Sequence, residues 1–194
     1  MKRFYSRKLK KTVVMLRAGE YCVSTEGDVL YTILGSCIAT CIYDKKRKIG
    51  GMNHFLLPSR LHPDELLTSN MGRYGMYAME LLIGELLKMG ARRSNLGAKI
   101  FGGGNVLNFN EGDVSITSSN INFARKYLKL EKIPIENEAV GGQVGRKIIF
   151  FSDSDRVLVK SFEVSDEPRI LDEEKSYKTR VFSSRRSKST AIIF

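Results

Sequence analysis

The chain reads as an α/β (α+β) fold, a single domain of packed β-sheets with two main helices outside. Three observations predict this. The 194 residues suit one domain large enough to bury a real core. Short runs rich in Val, Ile, Thr and Tyr are separated by polar or glycine-containing turns, which is the pattern of strands. Two longer segments instead repeat their apolar residues at three- and four-residue steps, the period of a helix.

Taken in order, residues 1–17 carry Lys2, Arg3, Arg7, Lys8, Lys10, Lys11 and Arg17 with no acid. They read as a basic, solvated extension outside the core. Glu20–Ser24 and Val29–Leu34 read as strands around a Glu26-Gly27-Asp28 turn. Ile38–Tyr43 and Ile49–Leu57 read as a hairpin across the polar turn at residues 44–48. Residues 58–69 form a polar loop. It holds His62, which lacks the spacing of a metal ligand and reads as an exposed loop residue.

Tyr74 to Met89 reads as a helix with Ala78, Leu82, Leu86 and Met89 on its apolar stripe, widened by Leu81. Gly90 is its natural stop. Ala98–Phe101 is a short strand leading into Gly102-Gly103-Gly104-Asn105. No Lys-Ser/Thr follows those glycines, so they make a poor phosphate loop. Ser118 or Ser119 caps a second helix through Ile121, Phe123, Ala124, Tyr127 and Leu128. Ile133–Glu138, Lys147–Phe151 and Arg156–Phe162 complete the strands, the last pair across the turn at residues 152–155.

The net charge of +11 is not a nucleic-acid signature. Lys175, Lys178, Arg180, Arg185, Arg186 and Lys188 add six further positive charges at the far end. The two ends together carry more than the whole net charge, so the middle of the chain is slightly acidic. Between them, residues 163–174 hold an acidic block. The expected organisation is a basic extension (1–17), a folded domain (18–162) and a charged tail (163–194). The basic ends are solvated, or they attract an acidic protein or an anionic membrane surface. No run of eighteen apolar residues is present, so no membrane span is expected. The three cysteines, Cys22, Cys37 and Cys41, suit a reducing cytoplasm, with Cys22 and Cys41 as buried thiols.

The chemistry concentrates in Leu34-Gly35-Ser36-Cys37 and in His54, which ends Gly50-Gly51-Met52-Asn53-His54. The intervening hairpin brings a thiol and an imidazole together, the minimum for nucleophilic catalysis by cysteine. Only the thiolate attacks well, and a nearby imidazolium or backbone N–H groups favour it. The tight Gly35-Ser36-Cys37 turn is suited to aim N–H groups at an oxyanion. On pattern alone, a buried structural cysteine beside an unrelated histidine satisfies the same residues.

Five blocks in register carry a more specific signal. They are Thr32 to Asp44, Ile49 to Pro58, Arg73-Tyr74 with the helix that ends at Ala91, Ala98 to Asn105, and Val140 to Ile148. Together they resemble the CheD family of chemoreceptor glutamine deamidases, from about residue 18 to about residue 162. The resemblance implies Cys37 as nucleophile and His54 as general acid/base. It places the substrate against Gly35, Ser36, Gly102 and Gly103, with Gly141, Gly142, Gly145 and Arg146 as another wall of the cleft. Arg146 is left either to acidic substrate residues or to a local carboxylate. The family's third residue is a threonine shortly before the cysteine. One spacing points at Tyr31, but the hydroxyl type points at Thr32. Strand side chains alternate faces, so only one of the two can share the site.

The implied reaction deamidates glutamine side chains of methyl-accepting chemoreceptors by acyl transfer, without metal or organic cofactor. In some members a CheC-type phosphatase also binds. Two alternatives stay open from the residues themselves: another Cys/His amidase or peptidase, and a non-catalytic adaptor that binds a receptor or a CheC-type protein.

Overall fold

The computed structural model describes residues 1–57, 64–69, 72–106 and 115–163, with single positions at 176 and 179. His62 and nearly all of the 163–194 tail lie outside the described residues.

Ten strands form two five-stranded sheets. The first comprises β1 (Lys2–Ser6), β2 (Lys11–Met15), β4 (Val29–Leu34), β9 (Gly145–Phe151) and β10 (Val157–Phe162), in the order β1-β2-β4-β9-β10. The second comprises β3 (Tyr21–Ser24), β6 (Gly50–Phe55), β5 (Ile38–Asp44), β7 (Leu96–Gly102) and β8 (Ile135–Val140), in the order β3-β6-β5-β7-β8. Among the described residues, the long helices α1 (Gly72–Lys88) and α2 (Ile116–Leu130) accompany them. The packed sheets and two outer helices match the α+β expectation.

Three layers follow from strand alternation. On β5, Ile38 and Ile42 join a core shared with Met79, Leu82 and Leu86 of α1 and with Phe123 and Leu128 of α2. The opposite face, with Cys37, Ala39, Cys41 and Tyr43, joins Leu30 and Leu34 of β4 and Ile148 and Phe150 of β9. Every residue of β5 is therefore buried, as expected of a strand covered on both faces. The second sheet is the middle layer, and a continuous apolar seam separates it from the first.

Residues 1–17 depart from the expected solvated extension. They form the antiparallel hairpin β1–β2, and β2 runs parallel to β4. Val14 and Leu16 are buried in the seam between the sheets. The dense positive charge hides a short apolar alternation that the sheet uses. The basic side chains of Lys2, Arg3, Arg7, Lys8 and Lys10 remain exposed.

Helix α1 stops where Gly90 takes φ 97°, with Ala91 N–H bonding back to Leu86 O at 3.0 Å. Its buried face is Gly72, Gly75, Met79, Leu82, Ile83 and Leu86. That face is rotated from the expected stripe and leaves Met89 exposed. Helix α2 is capped by Ser115, not by Ser118 or Ser119. Ser115 Oγ accepts from Ser118 N–H at 3.1 Å, and Ser118 Oγ accepts from Ser115 N–H at 2.9 Å. This reciprocal box starts the helix earlier than its apolar spacing suggests.

Candidate active site

The hairpin β5–β6 pairs Ala39 directly with His54, so Cys37 lies just beyond the end of the ladder, beside the histidine strand. Strand parity then sets directions. Cys37 packs on the inner face with Ala39 and Cys41. His54 shares parity with Met52, also on that face, and Thr32 lies between inward-facing Leu30 and Leu34 on β4. All three candidate residues therefore meet in the seam between the sheets. Each is buried, and Cys37 and Thr32 have no exposed surface.

Thr32 is tied to His54. Its Oγ1 lies 2.8 Å from His54 Nδ1 and donates to the carbonyl of Leu16 at 2.8 Å. A hydroxyl has one hydrogen, and a carbonyl can only accept. The Thr32 hydrogen therefore goes to Leu16, and the ring must donate from Nδ1. Neutral His54 then carries its basic lone pair on Nε2. Tyr31 shows the opposite parity and packs on the far side of the first sheet beside Val13 and Val29. The backbone of His54 is equally fixed, with its N–H bonding Glu20 O at 2.9 Å and its carbonyl accepting from Gly19 N–H at 2.7 Å.

The Cys37 turn is held through its carbonyls. Gly35 O accepts from Gly104 N–H at 2.7 Å, and Cys37 O accepts from Gly103 N–H at 2.7 Å. Ser36 O accepts from Asn120 Nδ2 at 3.1 Å. In a trans peptide the N–H points opposite the preceding carbonyl. The N–H of Ser36 is therefore turned away from Gly104, and that of Cys37 away from Asn120.

Gly102 is required here. It takes φ 108°, and a Cβ on it would lie 2.2 Å from Cys37 O. A Cβ on Gly103 would likewise meet Ile121 at 2.6 Å. The close approach these glycines allow is therefore made by the chain's own turn and helix, and it is what seats Cys37.

One residue of the site was not singled out by sequence. Asn120 is fully buried on α2. Besides holding Ser36 O, it accepts from Leu57 N–H through Oδ1 at 2.7 Å. One side chain thus ties the nucleophile turn to the segment that follows His54. Its signal was an asparagine on an apolar helix stripe, three and four residues before Phe123 and Ala124. Arg146, expected as part of a wall of the cleft, is buried rather than exposed. It pairs across the ladder with Leu34 and shares the inward parity of Ile148 and Phe150. Its Nη1 reaches Gly102 O and Val144 O, each at 3.4 Å.

The other thiols are placed differently. Burial pushes Cys41 far above the usual thiol range and also raises Cys22. None of the three cysteines is in a disulfide. Among the described residues no group of three or more His, Cys, Asp and Glu side chains is arranged to hold a metal ion. No helix there is long and apolar enough to cross a membrane.

Comparison with known proteins adds the family. Residues 56–161 match the family model described as CheD chemotactic sensory transduction. A protein of Shewanella oneidensis named "Probable chemoreceptor glutamine deamidase CheD 1" is 41% identical over 183 residues, covering 92% of this chain and 86% of its own. A CheD of Laribacter hongkongensis with the same deamidase name is 40% identical over 180 residues, covering 92% and 86%. One of Methylobacillus flagellatus is 46% identical over 164 residues, covering 84% and 80%. The family model begins after His54, but a match over 92% of the chain leaves too little at either end to omit Cys37. By both measures, this chain belongs to the CheD family.

Proposed function

We propose that this protein deamidates glutamine side chains of methyl-accepting chemoreceptors, with Cys37 as nucleophile, His54 as general acid/base and Thr32 as the residue that orients His54. The single observation that carries the reading is the Leu16–Thr32–His54 chain of hydrogen bonds. It fixes the imidazole tautomer with Nε2 as the basic nitrogen, in the same seam as the thiol. A third group orienting a base beside a nucleophile is the arrangement used in acyl transfer. The relatives named as chemoreceptor glutamine deamidases supply the substrate class.

The chemistry balances without a cofactor. His54 Nε2 takes the Cys37 proton, and the thiolate sulfur bonds to the carboxamide carbon. The carbonyl electron pair moves to oxygen, where the N–H groups of Ser36 and Cys37 are the donors for the oxyanion. The tetrahedral adduct collapses as the C–N bond breaks, and His54 gives its proton to the departing ammonia. Water, deprotonated by His54, then attacks the thioester carbon. The C–S bond breaks with its electron pair going to sulfur, His54 returns the proton to Cys37, and glutamate is released.

Gly35 enters through the turn it permits. Gly102 and Gly103 shape the site from behind by seating Cys37. Because Cys37 is wholly covered, receptor binding must uncover it. The same burial favours a second reading, a non-catalytic adaptor in which Cys37 only packs.

The finer expectations belong to this reading: a CheC-type protein as a further partner, a cytoplasmic setting, and steering of an acidic receptor by the exposed basic side chains of the β1–β2 hairpin. Ammonia release from a receptor cytoplasmic fragment, with the receptor chain intact and heavier by about one dalton per site, supports deamidation over proteolysis, since both begin with the same acyl transfer. Receptor fragments would make it a peptidase. Receptor binding without ammonia or cleavage would favour the adaptor.

A further inference from the structure

Arg146 is a buried cation without a carboxylate. It is 8% exposed, and no acidic side chain pairs with it among the described residues. Its partners are the carbonyls of Gly102 and Val144, both at the long distance of 3.4 Å. Burial alone holds its guanidinium below the usual arginine range. Burying a charge costs several kcal/mol unless something compensates it. Two long bonds to neutral carbonyls are weak compensation, so the site has use for the positive charge itself.

The position of Arg146 says what that use is. It continues the inward row Phe150–Ile148 of β9 to the end of the seam where Cys37 sits. Its ladder partner Leu34 lies three residues before Cys37. The carbonyl it contacts belongs to Gly102, whose Cα is close enough to Cys37 O that a Cβ would collide with it. With no carboxylate beside it among the described residues and little of its surface exposed, its field is not neutralised there and is screened less than that of a surface charge.

We propose that Arg146 is the fixed positive charge of the site, which stabilises the anions formed at Cys37, first the thiolate and then the oxyanion of the tetrahedral adduct. Arg146 acts through Cys37 and is a positioning residue rather than one that contacts the reacting bond. The oxyanion half rests on the deamidase reading, whereas the thiolate half does not.

The other ionisable groups facing the seam among the described residues include His54 from β6, Cys41 and Tyr43 from β5, Lys99 from β7 and Cys22 from β3, whose Sγ is met by Arg3 of β1 at 3.8 Å, itself paired with Asp28. Lys99 stands across from Cys41, toward the far end of the strand, and its Nζ donates to Asp155 O at 2.8 Å. Tyr43 is bonded to Glu136. Of these groups, His54 and Arg146 are the cationic candidates at the Cys37 end.

The test is a pH titration of thiolate ultraviolet absorbance, read as the difference between each protein and the same protein carrying Cys37→Ala. It needs no receptor, so it stands whether or not deamidation is found. Removing an opposite charge near an ionisable group moves its midpoint by about a unit or more. Arg146→Gln should raise the midpoint of Cys37 by about one unit, while Arg146→Lys, which keeps the charge, should stay near the parent. Arg146→Met, apolar and of similar length, serves if the glutamine variant does not fold. With a receptor fragment, the neutral variants should lower kcat about tenfold and leave KM within about twofold. An unchanged midpoint with a raised KM would make Arg146 a receptor contact and overturn the proposal. Failure of both neutral variants to fold would make it a structural tie and overturn it equally.

Discussion

Thr32 Oγ1 and His54 Nδ1 are 2.8 Å apart, with the Thr32 hydrogen committed to the Leu16 carbonyl. This relationship puts the ring hydrogen on Nδ1 and leaves Nε2 as the basic nitrogen, and it uses a strand from the other sheet to do so. In the proposed reading the first sheet is part of the site, because it delivers both Thr32 and Leu16.

Thr32→Val keeps the shape of the side chain but removes the acceptor for Nδ1–H. The ring is then free to rotate or change tautomer. We expect kcat for deamidation to fall at least about 10- to 100-fold, the loss seen when a partner that orients a metal-bound histidine is removed. Thr32→Ser should retain most activity, and Tyr31→Phe should be close to the parent. Steady-state ammonia release checks all three, and equal losses for Thr32→Val and Tyr31→Phe would contradict the assignment.

Asn120→Ala strips one donor and one acceptor from the interior, leaving Ser36 O and Leu57 N–H without their present partner. A buried polar group left unsatisfied costs about 1–3 kcal/mol. We expect a stability loss of about 2–3 kcal/mol by urea denaturation and a lower kcat, because the Cys37 turn loosens. Asn120→Asp keeps the bond from Leu57 but sets a carboxylate oxygen against Ser36 O in a fully buried place, so at neutral pH it should lose at least as much stability as Asn120→Ala.

Gly102→Ala places a methyl group 2.2 Å from Cys37 O at φ 108°. Something must move, and the atom met is backbone. A cost of about 3 kcal/mol is expected for strain plus displacement, with loss of activity beyond what the stability change explains. Thermal unfolding and single-turnover assays separate the two effects. Gly84→Ala on α1, where a Cβ meets nothing within 4 Å, is the control and should be neutral or stabilising.

Asp44 predicts the acid side of stability. Burial works to raise its carboxyl pKa, but backbone N–H donors from Arg92 and Lys46, the Asn95 side chain and the Arg47 N–H outweigh that and hold it below the usual carboxylate value. The bonds are 2.8 Å from Arg92, 2.8 Å from Lys46 and 3.1 Å from Arg47. A carboxyl whose folded value is depressed contributes stability above its unfolded pKa, and this is lost as pH falls through the folded value. Asp44→Asn should therefore destabilise the protein at neutral pH. The gap to the parent should close below about pH 4, near the unfolded aspartate value. Denaturation midpoints measured across that range check it.

Much of the site was legible because it is local. Two apolar runs flank the polar turn at residues 44–48, so the hairpin that joins Cys37 to His54 follows from the sequence. Strand parity already required that Tyr31 and Thr32 face opposite sides. It could not say which side the histidine occupied, since that depends on β4 crossing from the other sheet. The β1–β2 hairpin was hidden by seven basic residues in its first seventeen. Its few apolar side chains acquire meaning only once the seam between the sheets exists. Asn120 was illegible as part of the site, and the carbonyl partners of Arg146 were not foreseen, for a related reason. Asn120 lies 84 residues from Ser36, and Arg146 reaches Gly102 from 44 residues away.

The central claim is that Cys37, served by His54, converts receptor glutamine to glutamate. The most direct measurement is site-resolved mass spectrometry of a chemoreceptor cytoplasmic fragment from the same organism, incubated with the parent protein, Cys37→Ala or His54→Ala. The account predicts glutamate at particular glutamine positions with the parent protein and none with either variant. Conversion that persists with Cys37→Ala, or its absence with the parent protein despite demonstrable receptor binding, would contradict it.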